Sequence, residues 1–199
     1  DGTPLAVLGN FSMHYFGAPP LSADFCGRFA EGIGPLVGAA AGGGFVGLLS
    51  QGTSGDSHWM DYSRPPAKPT LDEYSGRLLA RAAEIHRGIK HRASGPLAMA
   101  ETMLTLRRRL AGAARLDWAR TLAGPMGDRP AANQREVYAR EQLFLAAEPE
   151  RELKLQALRV GDTGITAIPN EVYALTGLKL KARSPLPATF NIELANGAE

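Results

Sequence analysis

The chain has 199 residues, 44% of them hydrophobic and 21% charged, and a net charge of +2. That is enough apolar material to bury a core without staples, and the near-neutral balance gives no pull toward nucleic acid or an anionic membrane. A single cysteine, Cys26, excludes an internal disulfide and any multi-cysteine zinc or iron–sulfur site.

No stretch is long and apolar enough to span a bilayer. The chain opens on Asp1-Gly2-Thr3-Pro4 and closes on Leu194-Ala195-Asn196-Gly197-Ala198-Glu199, just after an apolar strand-like run. Both ends read as cuts through a longer protein, in which a targeting segment lies out of view.

Leu5-Ala6-Val7-Leu8 predicts a buried first strand that runs to about Met13 and ends at His14. Ser22 is the expected N-cap of a helix over Ala23 to about Val37. Phe25, Phe29, Ile33, Leu36 and Val37 give that helix one apolar face. Gly38 to Gly44 is a small-residue turn, and Phe45 opens a second buried strand. Strand, helix and strand in that order predict a right-handed parallel crossover.

Trp59 to Thr70 is polar and rich in proline, so it predicts a loop through Pro65-Pro66-Ala67. Thr70 then caps a long helix over Leu71 to about His91, with a stripe of Leu71, Tyr74, Leu78, Ala82, Ile85 and Ile89. After Gly95-Pro96 a strand is expected over Leu97–Arg107, then helices over Ala113–Ala123 and Asn133–Ala147. Leu153–Val160 and Ile165–Ile168 flank Gly161-Asp162-Thr163-Gly164, a hairpin signal. A helix from Glu171 to about Arg183 and a strand over Ala188–Leu194 follow. The sum is an α/β fold in one domain: a mixed, mostly buried sheet flanked by helices, with a helical excursion near residues 70–150.

Three strands run straight into polar turns, and ligands of open α/β sheets gather where strands end. The first ends at His14, the second at Gly52-Thr53-Ser54-Gly55-Asp56-Ser57-His58, and the third at Pro169-Asn170-Glu171. Histidine and carboxylates bind metal or move protons. Each also has a bland alternative: His14 as an ordinary sheet-edge histidine, Glu171 as a helix cap favoured by the macrodipole, and the glycine turn as a turn without a ligand.

That turn lacks the Gly-Lys-Ser/Thr ending of a nucleotide loop, and the glycines of 38–47 precede a strand where the dinucleotide fingerprint follows one. Ser57 and His58 are neighbours and so point to opposite sides of an extended chain. His86 and His91 stand five apart, which does not make the helical zinc pair. Arg107-Arg108-Arg109 is too short, without interleaved aromatics, for a nucleic-acid patch.

Four segments in this order resemble the neutral/alkaline, non-lysosomal ceramidase family and its bacterial relatives. They are Asn10-Phe11-Ser12-Met13-His14, Leu21-Ser22-Ala23-Asp24-Phe25-Cys26-Gly27, Gly52-Thr53-Ser54-Gly55-Asp56 and Ile168-Pro169-Asn170-Glu171. Ser184-Pro185 and Leu194-Ala195-Asn196-Gly197 continue the likeness, which covers residues 5–60 and 153–199.

The resemblance implies zinc-dependent hydrolysis of a lipid amide, N-acylsphingosine being the best-known substrate. It implies His14 and Glu171 as zinc ligands, and Asp56, Ser57 and His58 in the catalytic loop. The family's other ligands, a histidine and a tyrosine, fall in segments outside this stretch, so residues 1–199 alone are expected to bind zinc poorly and not to turn over substrate. The family places a serine three residues after the loop glycine. Here that position is His58, with Ser57 one residue early. The alternative is a non-catalytic relative kept as a binding or structural domain. The family also implies a secreted or periplasmic home.

Overall fold

A computed structural model describes residues 2–17, 21–65 and 68–198. Pro66 and Ala67 of the proline-rich loop, and the terminal Asp1 and Glu199, lie outside the described residues. In chain order the elements are β1 (Ala6–Phe11), α1 (Asp24–Leu36), β2 (Val46–Gln51), α2 (Leu71–Arg87), β3 (Leu97–Arg107) and α3 (Ala113–Ala123). A 3-10 turn (Gly124–Met126), α4 (Gln134–Ala147), β4 (Glu150–Val160), β5 (Thr163–Ala167), α5 (Ala174–Arg183) and β6 (Ala188–Ile192) follow. The class is mixed α/β, and the strands make two sheets: β1–β2, and β3-β4-β5-β6. The chain divides into two compact units, Asp1–Thr102 with Leu155–Ala198, and Met103–Lys154.

In the first unit β1 and β2 are parallel, with Leu8 opposite Leu48 and Asn10 opposite Ser50. The helix between them, α1, covers one face of the pair. Phe29, Ile33 and Val37 pack with Val7, Phe45, Leu49, Leu78, Leu79 and Ala82, and Phe25 with Met13, Phe16, Phe11 and Tyr74. Each such buried side chain contributes about 1.5–3 kcal/mol. Gly47 permits the close approach, because a Cβ there would lie 2.5 Å from the Ala30 carbonyl oxygen.

Side chains alternate along a strand, so Leu8 and Leu48 face the other way and remain 46% and 53% exposed. The strands expected to be buried are therefore buried on one face. β3, the outermost strand of its sheet, is exposed along its whole length.

Helix α1 starts one residue after its expected first residue, and the Ser22 hydroxyl accepts from Asp24 N at 3.0 Å. Thr70 caps α2 through a reciprocal capping box with Glu73. That helix stops at Arg87, earlier than its apolar stripe suggests, with Gly88 as its C-cap. The β4–β5 hairpin pairs Val160 with Thr163 around Gly161-Asp162, and Gly161 takes the positive φ of 60° that such a turn needs. β5 and β6 are parallel, with α5 between them in the chain.

The end of β6 reaches the ends of β1 and β2. Asn10 Nδ2 donates to the Asn191 carbonyl at 2.8 Å, and Glu193 N donates to the Gln51 carbonyl at 3.1 Å. The C-terminal ends of four strands are thereby gathered at one place.

In the second unit α3 and α4 bury Ala119 and Ala139 completely. Asn133 caps α4, its side-chain oxygen accepting from Glu136 N at 3.1 Å. Arg129 makes a bidentate pair with Glu136 at 2.7 and 2.9 Å.

Candidate functional site

Beyond Phe11 the chain of β1 continues in an extended path beside the turn that follows β2. Gly52 N donates to the Phe11 carbonyl at 2.9 Å, and His14 N to the Ser57 carbonyl at 3.3 Å. The His14 ring is held to the same carbonyl, Nδ1 to Ser57 O at 2.9 Å. A carbonyl only accepts, so Nδ1 carries the hydrogen and Nε2 points away from it. Nε2 lies 3.0 Å from Glu171 Oε1, with the two side chains 38% and 49% exposed.

Glu171 reaches His14 through an unusual backbone. Asn170 sits at φ 71°, a left-handed conformation that asparagine tolerates better than most residues. Its N donates to the Gly197 carbonyl at 3.2 Å, and its carbonyl accepts from Leu194 N at 3.1 Å. The helix expected to start at Glu171 starts at Ala174. Residues 171–173 instead run against the glycine turn, where Gly55 N donates to the Val172 carbonyl at 2.9 Å. Glu171 is therefore no cap for α5. That task falls to Asp56, whose Oδ1 accepts from Ala174 N at 2.7 Å.

The catalytic-loop residues divide by what they touch. Asp56 is engaged at the start of α5, and Ser57 faces His14 through its carbonyl. The His58 ring lies tilted against Trp59, and its centroid lies 6.4 Å from that of His14. Cys26 has no part in this: burial, with the nearby Asp24 charge, pushes its thiol up, which keeps it a poor metal ligand.

The donor set suits a metal ion in kind and spacing. A neutral imidazole whose Nδ1–H is bonded presents a lone pair at Nε2, and it faces a carboxylate oxygen. Two acceptors at 3.0 Å call for a proton or a cation between them, and the separation approaches the roughly 3.3 Å edge of a tetrahedral zinc site with ~2.0 Å bonds. Among the described residues no three His, Cys, Asp or Glu side chains come together at one point.

Spacing and motifs left several members of this neighbourhood unselected. Glu193, Ser54 and Gln51 lie behind the pair, buried or half-buried, and link its two sides. Glu193 stands at the end of the last strand, so the strand-end rule that singled out His14 applies to it equally.

The fold has known counterparts. The crystal structure of neutral ceramidase from Pseudomonas aeruginosa superposes with a TM-score of 0.57 at 12% identity, over 98% of this chain and 38% of that one. A ceramidase complexed with C2 gives 0.62 at 14% identity, over 98% and 39%. At such identity the likeness establishes the fold: the chain has the architecture of part of a neutral ceramidase, as its motifs suggested, and it spans about two fifths of the chains it matches. Comparison with protein-family models and with curated protein sequences gives no match. No helix among the described residues is long and apolar enough to cross a membrane.

Proposed function

We propose that these residues form part of the zinc site of a ceramidase-like hydrolase acting on a lipid amide, N-acylsphingosine or a relative. The observation that carries this is the His14–Glu171 pair, brought together from strand ends far apart in sequence with Nε2 and Oε1 3.0 Å apart. Zinc bound by His14 and Glu171 would supply Lewis acidity, polarising the amide carbonyl and lowering the pKa of a bound water toward about 7.

In this reading His14 offers Nε2 and Glu171 offers Oε1. The Ser57 carbonyl fixes the His14 tautomer, the usual duty of a partner behind a metal-binding histidine. Asp56 keeps α5, and with it the Glu171 segment, docked on the loop. His58 accepts weakly from Met60 N at its Nδ1, 3.4 Å away, which leaves the proton on Nε2. In this reading His58 would take up the proton of the attacking water and, as imidazolium, return it to the leaving amine. Catalytic zinc usually takes three protein ligands and a water, so the reading requires at least one more ligand from elsewhere in the protein.

The test is zinc content and affinity in the protein at its native length. His14→Ala and Glu171→Ala should each lose most of the bound zinc, and a wild-type protein without zinc would refute the proposal. A second reading, a non-catalytic ceramidase-like domain, is favoured by His58 at the serine position. It gains support if the zinc-loaded protein cleaves nothing in a broad panel of amides and esters.

A further inference from the structure

We infer that Glu193 is a positioning residue that sets the distance between His14 and Glu171, a role that rests on the zinc reading above. Its side chain is 2% exposed, and a carboxylate so deep is costly unless hydrogen-bonded. Both oxygens are used. Oε2 accepts from Val172 N, the amide next to Glu171, at 2.7 Å, and Oε1 accepts from the Ser54 hydroxyl.

Ser54 is itself buried and accepts from Gln51 Nε2 at 2.6 Å. The same Gln51 amide donates to the carbonyl of Met13, the residue before His14, at 2.5 Å. One chain of bonds therefore runs from the neighbour of one proposed ligand to the neighbour of the other. It passes through Val172, Glu193, Ser54, Gln51 and Met13. Glu193 N, donating to the Gln51 carbonyl at 3.1 Å, closes the circuit.

A second route runs through the loop. The Gly55–Val172 and Asp56–Ala174 bonds hold it to the 172–174 segment, and its Ser57 carbonyl accepts from His14. That route passes through the exposed Asp56, whereas the Glu193 circuit is buried or half-buried. Two donors from different segments converge on Glu193, which is why a carboxylate suits the position. Glutamine can accept from Val172 N and donate to Ser54 Oγ, keeping the circuit with one bond reversed. Alanine strands both donors in the interior.

The test uses the protein at native length, with two readouts. Zinc affinity is measured by chelator competition, and the His14 Nδ1–H signal by NMR in metal-free protein. Loss of a partner behind a metal ligand weakens binding by about 10–100-fold. Glu193→Ala should fall in that range and lose the His14 signal, while Glu193→Gln keeps most of both.

Ser54→Ala, which cuts only the Glu193–Gln51 link, should lose affinity by a smaller factor and stands in if Glu193→Ala does not fold. A lower melting temperature with unchanged affinity and an unchanged His14 signal in the folded variants would overturn the inference. If wild type binds no zinc, the zinc reading fails by itself, and the His14 signal alone decides whether Glu193 positions the pair.

Discussion

Gly55→Ala probes the seam between the glycine turn and the Glu171 segment. A Cβ at Gly55 would lie 2.7 Å from the Glu171 carbonyl oxygen, 2.9 Å from Tyr173 Cδ1 and 3.1 Å from the Val172 carbonyl carbon. Two of these are backbone atoms that cannot rotate away, so the seam must open. Overpacking of this kind costs about 1–3 kcal/mol. Stretching the Gly55 N to Val172 carbonyl bond adds about 0.5–1.5 kcal/mol. Stiffening the unfolded chain returns about 0.4–1 kcal/mol.

The net loss is about 2 kcal/mol by these ranges. With a urea slope of about 1–3 kcal/mol/M, the unfolding midpoint should fall by roughly 1 M. Gly76→Ala on α2 is the control. A Cβ there meets nothing within 4 Å, and the exchange should stabilise by about 0.5–1 kcal/mol. If Gly55→Ala unfolds at the wild-type urea concentration, or later, the seam is not packed as described and the argument fails.

Two further outcomes follow from local geometry. Asn170→Gly should leave stability within a few tenths of a kcal/mol, whereas Asn170→Val should lose about 1–2 kcal/mol from the left-handed backbone, read as a lower melting temperature. Equal stability of the two variants would contradict the φ of 71°. In the second unit the Arg129 guanidinium, helped by the Ala132 amide, holds the Glu136 carboxyl down to about 2. A depressed pKa contributes stability above the ordinary value of 4.5 and loses it as pH falls toward about 2. Wild type and Glu136→Gln should thus differ in thermal unfolding at pH 6 and converge near pH 2, and a constant gap across that window would argue against the pair.

What could be read in the residues was local or periodic. The Gly161-Asp162 turn, the α2 capping box and the helices α3 and α4 follow from short-range chemistry, and the structure has them. That His14 and Glu171 could meet followed from the rule that ligands gather at strand ends, and their pairing as ligands was implied only by the family resemblance. The start of α5 was misjudged because Pro169 ahead of a glutamate resembles a helix entry. The backbone at Asn170 instead delays the helix by three residues, and the amide at its start is served by Asp56, 118 positions away. No local pattern encodes such a partner. Nor does an apolar strand state which of its faces is covered: Leu8 and Val7 look alike in sequence and differ only in which one meets α1. Glu193 was legible by the same strand-end rule as His14, but a lone glutamate after a strand is also what an ordinary sheet edge carries.

The bond from Asn10 to Asn191 spans 181 residues, and that separation sets a clock on synthesis. At about 5–20 residues per second, the ribosome delivers the second partner roughly 10–35 s after the first. From the moment Gln51 is made, β1 and β2 are complete, but their ends lack the partners that Asn191 and Glu193 later supply. The neighbourhood of His14 can therefore be completed only once Glu193 has been made, which places its assembly at the end of the synthesis of residues 1–199.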